Sequence, residues 1–300
     1  MNLSETSGFF SFNNPNHENF SPVITELKSS EGSPFILYKC SRQGRITILK
    51  AIKEEFRDKP MYEDILRKEY EIGKSLNHPN IREYYNFLSL PKTGPCIEME
   101  WIDGKTLDEL MPECQKDKAF CDKIARQILD AVRFMHMKQV VHRDLKPSNI
   151  MVTTKGNIVK LIDFSLSDSD SHIILKGNAG TAMYASPEQV NCEESDSRSD
   201  IWSLGIILSE MSSRKRYQKV AAKCTKRKIS KRFADADAVE QALLGHQRNH
   251  AIIAIASLIV IAGLVFAIGK ISMKKKNANA EVIDEIFMQA TEMVENSCQE

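Results

Sequence analysis

The chain has 300 residues, with 41 basic against 40 acidic side chains and a formal net charge of +1. That length holds one large domain or two small ones, and the even balance lacks the basic excess of a nucleic-acid binder, so no nucleic acid is expected as a partner. The seven cysteines are scattered, with no C-x-x-C pair, which argues against a zinc or dithiol centre and for reduced thiols in a cytosolic fold.

Residues 1–22 are rich in Asn, Ser and Phe. With no basic start before an apolar run, they read as a flexible leader and not a secretory signal. Short β-branched or aromatic runs at Phe35–Tyr38 and Ile46–Leu49, separated by Ser41-Arg42-Gln43-Gly44, predict two strands and a turn. Met61 to Leu76 carries helical periodicity at Ile65, Leu66, Tyr70, Ile72 and Leu76 and stops before Asn77-His78-Pro79. Ile97–Ile102 reads as a further strand and Asp103-Gly104 as a turn after it. From Thr106 the pattern is mainly helical, over Ala119–Met137, Asp200–Met211, Tyr217–Thr225 and Asp235–Leu244. The expected fold is therefore α+β and bilobal. A small strand-rich lobe occupies 23–103, a larger helical lobe 104–245, and the cleft between them is a favoured ligand site.

Ala251–Gly269 is an uncharged run of nineteen residues between Arg248 and Lys270. As a helix it spans roughly 28 Å, close to the ~30 Å hydrocarbon core, so one transmembrane helix is expected there. The tail, 270–300, places Val282, Ile283, Ile286, Phe287, Ala290, Met293 and Val294 at helical spacing. Such a stripe could pair two chains as a homodimer or lie on the membrane surface.

The stretch with the most chemistry is His142-Arg143-Asp144-Leu145-Lys146-Pro147-Ser148-Asn149, followed by Asp163-Phe164. Two acids with a lysine and an asparagine between them suit phosphoryl transfer. One carboxylate orients a hydroxyl nucleophile, while the other, with the amide, holds magnesium on a triphosphate.

Further motifs follow in a set order. They are Asn77-His78-Pro79-Asn80-Ile81, then Gly180-Thr181-Ala182-Met183-Tyr184-Ala185-Ser186-Pro187-Glu188, then Asp200-Ile201-Trp202-Ser203-Leu204-Gly205. With them, the chain from about Lys28 to Leu244 resembles a protein kinase of the eukaryotic Ser/Thr type, as found fused to membrane spans in bacteria.

The resemblance implies ATP and Mg2+ as cofactors, with Mn2+ as an alternative metal, and a protein substrate bearing Ser or Thr. It implies that Asp144 orients the substrate hydroxyl, that Lys146 steadies the transferring phosphoryl group, and that Asn149 and Asp163 hold the metal. A small-lobe lysine should hold the α- and β-phosphates and pair with Glu69. Lys50 is favoured by its apolar strand neighbours, with Lys53 as the alternative. Met99 would be the gatekeeper, the carbonyl of Glu100 and the N–H of Ile102 would face the base, and Met151 would form its floor.

Several positions depart from the family pattern. Ser30-Glu31-Gly32-Ser33-Pro34-Phe35 stands where G-x-G-x-x-G is usual, so of those glycines only Gly32 remains to bring backbone close to the phosphates. Pro34 removes a further N–H donor, and weakened ATP affinity is expected. Ser165 follows Asp163-Phe164 where glycine is usual, which biases the loop's conformational flip. Gly73 sits where a bulky residue is usual, so a mobile helix is expected. One helix of the large lobe is missing after Met211, and Arg232 resembles the arginine that pairs with Glu188.

Arg143, beside Asp144, could be neutralised by phosphate on Ser165, Ser167, Ser169, Ser171 or Thr181. ATP supply places the kinase lobes in the cytoplasm although the lysines lie mainly after the span. The favoured reading is a membrane-anchored Ser/Thr kinase. The alternatives are a pseudokinase acting as a tethered scaffold and, with less support, a small-molecule phosphotransferase.

Overall fold

The computed structural model describes residues 22–27, 32–165, 167, 183–245, 257–262, 266 and 288. The expected leader, the tip of the phosphate loop, most of 166–182 and most of the tail lie outside these residues. Met1–Leu243 forms one compact unit and Leu244–Glu300 a second. Of the expected span, 257–262 and 266 are described and helical. Among the described residues no helix is long and apolar enough to cross a membrane.

The small lobe is one antiparallel sheet of strands β1 (Val23–Glu26), β2 (Phe35–Arg42), β3 (Arg45–Ile52), β4 (Tyr84–Leu90) and β5 (Gly94–Glu100), in the order β1-β2-β3-β5-β4. The Gln43-Gly44 turn holds both residues at positive φ, 49° and 79°. That geometry matches the twist of a tight hairpin and fixes the register at Arg42 opposite Arg45 and Leu37 opposite Lys50. β3 is the buried centre, with every residue from Thr47 to Ile52 buried. One cluster of its packing joins Ile36, Cys40, Leu49, Ala51 and Cys96. Helix α1 (Pro60–Ser75) begins on a proline and turns Ile65, Leu66, Glu69 and Gly73 inward. Proline suits that position because the first helical N–H has no intrahelical partner.

The stretch expected to turn at Asp103-Gly104 instead opens strand β6 (Gly104–Thr106), which pairs with β7 (Ile150–Thr153), itself paired with β8 (Val159–Leu161). The Asp103 carbonyl is taken by the Thr154 N–H at 2.9 Å, so the backbone there continues a ladder. The segment between α1 and β4 threads past this second sheet. Leu161 donates to the Asn80 carbonyl at 2.8 Å, and Arg82 donates back to the Leu161 carbonyl at 2.9 Å.

The large lobe centres on α3 (Lys118–Met137), whose apolar stripe from Phe120 to Met135 is buried. Asp117 caps it, accepting from the N–H groups of Ala119 and Phe120 at 2.8 and 3.0 Å. Helix α2 (Leu107–Lys116) precedes it, and α4 (Pro187–Val190), α5 (Arg198–Met211) and α6 (Lys215–Cys224) follow. Only Ser212, Ser213 and Arg214 separate α5 from α6, in keeping with the shortened lobe. The join is fastened to α3 at Asp122, which accepts from Arg214 at 2.6 and 3.1 Å and from the Tyr217 hydroxyl at 2.7 Å. Residues 236–243 are helical and close the unit. They are tied to α3 by Arg133, which pairs with Asp237 and Glu240.

Candidate active site

The loop from His142 to Asn149 is built around a buried acid at the start of α5. Asp200 accepts the main-chain N–H groups of His142 and Arg143 at 2.8 and 2.9 Å and lies 2.9 Å from His136 Nε2. Burial pushes its carboxyl up, but these partners outweigh it and hold the pKa below the ordinary aspartate value. Arg143 takes φ 62°, a backbone state that costs a non-glycine residue of order 1–3 kcal/mol and needs this support. Its guanidinium donates to the Ser167 carbonyl. The Gln189 side chain donates to the Arg143 carbonyl at 2.8 Å, so α4 is bound to the same loop.

Asp144 is thereby presented in one orientation. Its Oδ2 accepts from Lys146 Nζ at 2.8 Å and from Asn149 Nδ2 at 2.9 Å. Its Oδ1 is buried and has no hydrogen-bond partner among the described residues. A buried carboxylate oxygen left without a donor is costly, and a substrate hydroxyl would satisfy it. Asn149 spends its amide nitrogen twice on Asp144, on the side chain and on the main-chain carbonyl at 2.9 Å. Its amide oxygen is therefore turned away from the loop.

Across the cleft, Lys50 Nζ lies 2.7 Å from Glu69 Oε2 and 2.8 Å from Asp163 Oδ1. Lys53, the alternative, stands at the strand exit, with its main-chain N–H on the Pro34 carbonyl at 2.9 Å, so the lysine–glutamate pair is made by Lys50. Burial works against the Lys50 charge, but Asp163 and Glu69 outweigh it and raise the pKa. Burial likewise opposes the Asp163 charge, yet Lys50 holds that carboxyl well below the usual range. Glu69 moves the other way, because its burial exceeds the help of Lys50. Ser165, where glycine is usual, donates its hydroxyl to Asp163 Oδ1 at 2.5 Å and ties that acid to the loop behind it.

Gly73, where a mobile helix is expected, packs directly against a side chain from β4. A Cβ there would stand 2.5 Å from the Tyr84 ring, so the ring fills the space that a larger residue would take. Tyr84 is 1% exposed, donates its hydroxyl to Glu69 Oε1 at 3.1 Å and meets the Phe164 ring edge-on at 6.1 Å. Glu69 is thus gripped from both sides, by Lys50 and by Tyr84.

The remaining expected residues are placed as follows. Gly32 sits at φ 80°, next to the part of its loop that lies outside the described residues. Met99 is buried opposite Tyr84 in the β4–β5 ladder. The Glu100 side chain turns to Lys160 at 2.9 Å, and Ile102 is buried. Met151, half-buried on β7, receives the Arg82 guanidinium at 3.5 Å. Tyr84 and Arg82 stand beside these groups and are not disclosed by motif spacing.

Among the described residues no three His, Cys, Asp or Glu side chains are grouped to hold a metal by themselves. The donor set fits a hard cation carried by phosphates, with one carboxylate and one amide oxygen from the protein. Asp163, its side chain 38% exposed and engaged through Oδ1, and the amide oxygen of Asn149 would be those donors.

The acid response of the fold follows from these shifts. Asp163, Asp200 and Glu188 all have folded pKa values below their ordinary ones. Below about pH 4 the unfolded chain therefore binds more protons than the folded one, and stability falls with pH. The raised Glu69 opposes this between its unfolded and folded values. The urea midpoint is expected to drop once the pH falls below about 4; a midpoint that keeps rising from pH 4 downward would contradict the pairing.

Residues 31–258 match the family described as Protein kinase domain. A probable serine/threonine-protein kinase of Streptomyces coelicolor is 34% identical over 186 residues, which is 57% of this chain and 27% of that protein. A probable serine/threonine-protein kinase of Bifidobacterium longum, PknB, is 32% identical over 188 residues, again 57% of this chain and 27% of that protein. The chain thus spans about a quarter of the length of these relatives. The crystal structure of the Mycobacterium tuberculosis PknI kinase domain superposes with a TM-score of 0.57 at 17% identity, over 73% of this chain and 92% of that one. The likeness to PknI is one of fold. With the family match over three-quarters of the sequence, the chain belongs to the protein kinase domain family.

Proposed function

We propose that the chain transfers the γ-phosphate of a nucleoside triphosphate, ATP in the family's usual chemistry, to serine or threonine hydroxyls of a protein. The observation that carries this reading is the Asp144 oxygen left without a partner among the described residues, in a fold that has already joined Lys50, Glu69 and Asp163. A divalent cation, when bound, supplies charge neutralisation on the triphosphate. The chain's own part is positional. Lys50 meets phosphate oxygens, Asn149 and Asp163 present their oxygens to the cation, Asp144 accepts the hydroxyl hydrogen bond, and Lys146 stands beside it. Phosphoryl transfer passes through a loose transition state, so placement and charge dominate over proton abstraction.

Anchoring by 251–269, with the kinase lobes in the cytoplasm, belongs to the same proposal and is supported by the uncharged run itself. So does autophosphorylation within 165–181, supported by Arg143 beside the loop. Of the candidate sites Ser165 and Ser167 are described, while Ser169, Ser171 and Thr181 lie outside the described residues.

The test is transfer of labelled γ-phosphate by the full chain with Mg2+, from ATP and from GTP in parallel, to itself and to a Ser/Thr-rich acceptor protein. Asp163→Asn is expected to reduce transfer by at least about a hundredfold, since it removes the metal-facing charge. Phosphopeptide mapping of the same sample locates the modified residues. Equal background in wild type and variant would leave only a scaffold role.

A further inference from the structure

Arg82 is a buried cation that makes no ion pair among the described residues, although Asp163, Glu100 and Glu69 lie near enough to favour its charge. It is 7% exposed, its Nε has no hydrogen-bond partner, and among the described residues no carboxylate lies within ion-pair distance of its guanidinium. The contact of its outer nitrogen is the Met151 sulfur at 3.5 Å. A thioether is a weak acceptor, and burial lowers the Arg82 pKa even with Tyr84 and Asp163 nearby. One edge of the guanidinium, Nε and the nitrogen on the Met151 sulfur, is thus left with no oxygen or nitrogen acceptor among the described residues; such burial is expensive, so that edge calls for a ligand that supplies acceptors.

The fold says where that ligand would lie. Arg82 follows the bridge from Ile81 to Leu161 and precedes Glu83, whose carbonyl takes the Glu100 N–H at 2.9 Å. It therefore stands between the strand that ends at Glu100 and the strand that carries Met151. These are the two strands between which the nucleotide base sits if the proposed function holds, and the inference rests on that reading.

Arginine donates five N–H bonds and accepts none. The outer edge of adenine offers N7 as an acceptor but an amine as a donor. Guanine offers N7 and O6, two acceptors side by side, which match the two-pronged guanidinium. Against adenine one prong would face another donor, and against guanine both would be satisfied. We infer that Arg82 reads the base, so that this cleft takes a 6-oxopurine nucleotide, GTP, in preference to ATP.

The experiment is equilibrium binding of ATP, GTP and ITP, each with Mg2+, to the full chain by titration calorimetry, for wild type, Arg82→Leu and Arg82→Lys. ITP carries O6 and N7 without the 2-amino group, so it isolates the edge in question. GTP and ITP are expected to bind wild type at least about tenfold more tightly than ATP, from the usual discrimination of a bidentate arginine. Arg82→Leu and Arg82→Lys should both bring the three constants within about threefold, since a lysine keeps the charge but loses the fork. Should the leucine variant melt early, the wild-type ranking and the lysine variant still decide. ATP binding wild type as well as GTP does would overturn the inference. So would a preference that survives in both variants, or a leucine variant that binds all three where wild type binds none, which would make Arg82 a plug. Phosphate transfer is read in the same samples. Transfer without base preference keeps the kinase reading and removes this one, and base preference without transfer does the converse.

Discussion

Asp144→Asn is expected to lower the rate of phosphoryl transfer by about 10²–10⁴-fold, while nucleotide affinity stays within about threefold. The geometry gives the reason. Lys146 and Asn149 both donate to one oxygen of Asp144, so an asparagine in its place would turn its own oxygen to them. Its amide nitrogen would then occupy the place of the unpartnered Oδ1. A substrate hydroxyl would meet a donor where it needs an acceptor, at nearly unchanged shape and volume. Single-turnover kinetics separate this from a binding defect. A fall in affinity at constant rate would show that Asp144 holds the nucleotide and does not orient the nucleophile.

Arg232→Leu is expected to destabilise the fold by about 3–5 kcal/mol, because it strands a buried carboxylate. The Arg232 side chain is fully buried and that of Glu188 nearly so, and the two are joined at 2.6 and 2.7 Å. The same guanidinium accounts for the Lys226 and Arg198 carbonyls at 2.8 and 2.9 Å and lies 5.0 Å from the Trp202 ring centre. One side chain thus holds α4, α5 and the segment after α6 together. The double variant Arg232→Leu/Glu188→Leu should recover much of the loss, since an apolar replacement of the whole pair is often near neutral. Chemical denaturation of the wild type and the two variants measures this. A single variant that loses less than about 1 kcal/mol would place the pair among ordinary surface bridges.

The bilobal fold and most of the charged groups were legible in the sequence for a physical reason. Helices such as α3 and α5 repeat apolar residues every three or four positions over many turns, and the ends observed fall within two residues of those expected. The charges of the loop from His142 to Asn149 sit close together along the chain, so their spacing survives without tertiary knowledge. The rest depends on contacts between segments. Gly73 alone reads as a weak point in a helix, and only the fold shows that Tyr84, across the sheet, fills the gap. Nothing in the motif spacing marks Arg82, and only the fold shows that it is buried. Strand β1 is four residues long at a sheet edge and largely exposed, so it lacks the apolar alternation that marks a strand. β2 and β3 run longer than expected because ladder hydrogen bonds carry them through polar residues such as Lys39, Ser41 and Arg45.

Because the phenol of Tyr84 touches the glycine notch of α1, the acid on that helix and the aromatic ring beside Asp163, it acts as an internal latch. Swinging α1 outward would break a hydrogen bond, open a void behind the ring and release Phe164 in one step. Helix α1 and the loop at Asp163 should therefore change position together, as a single cooperative event.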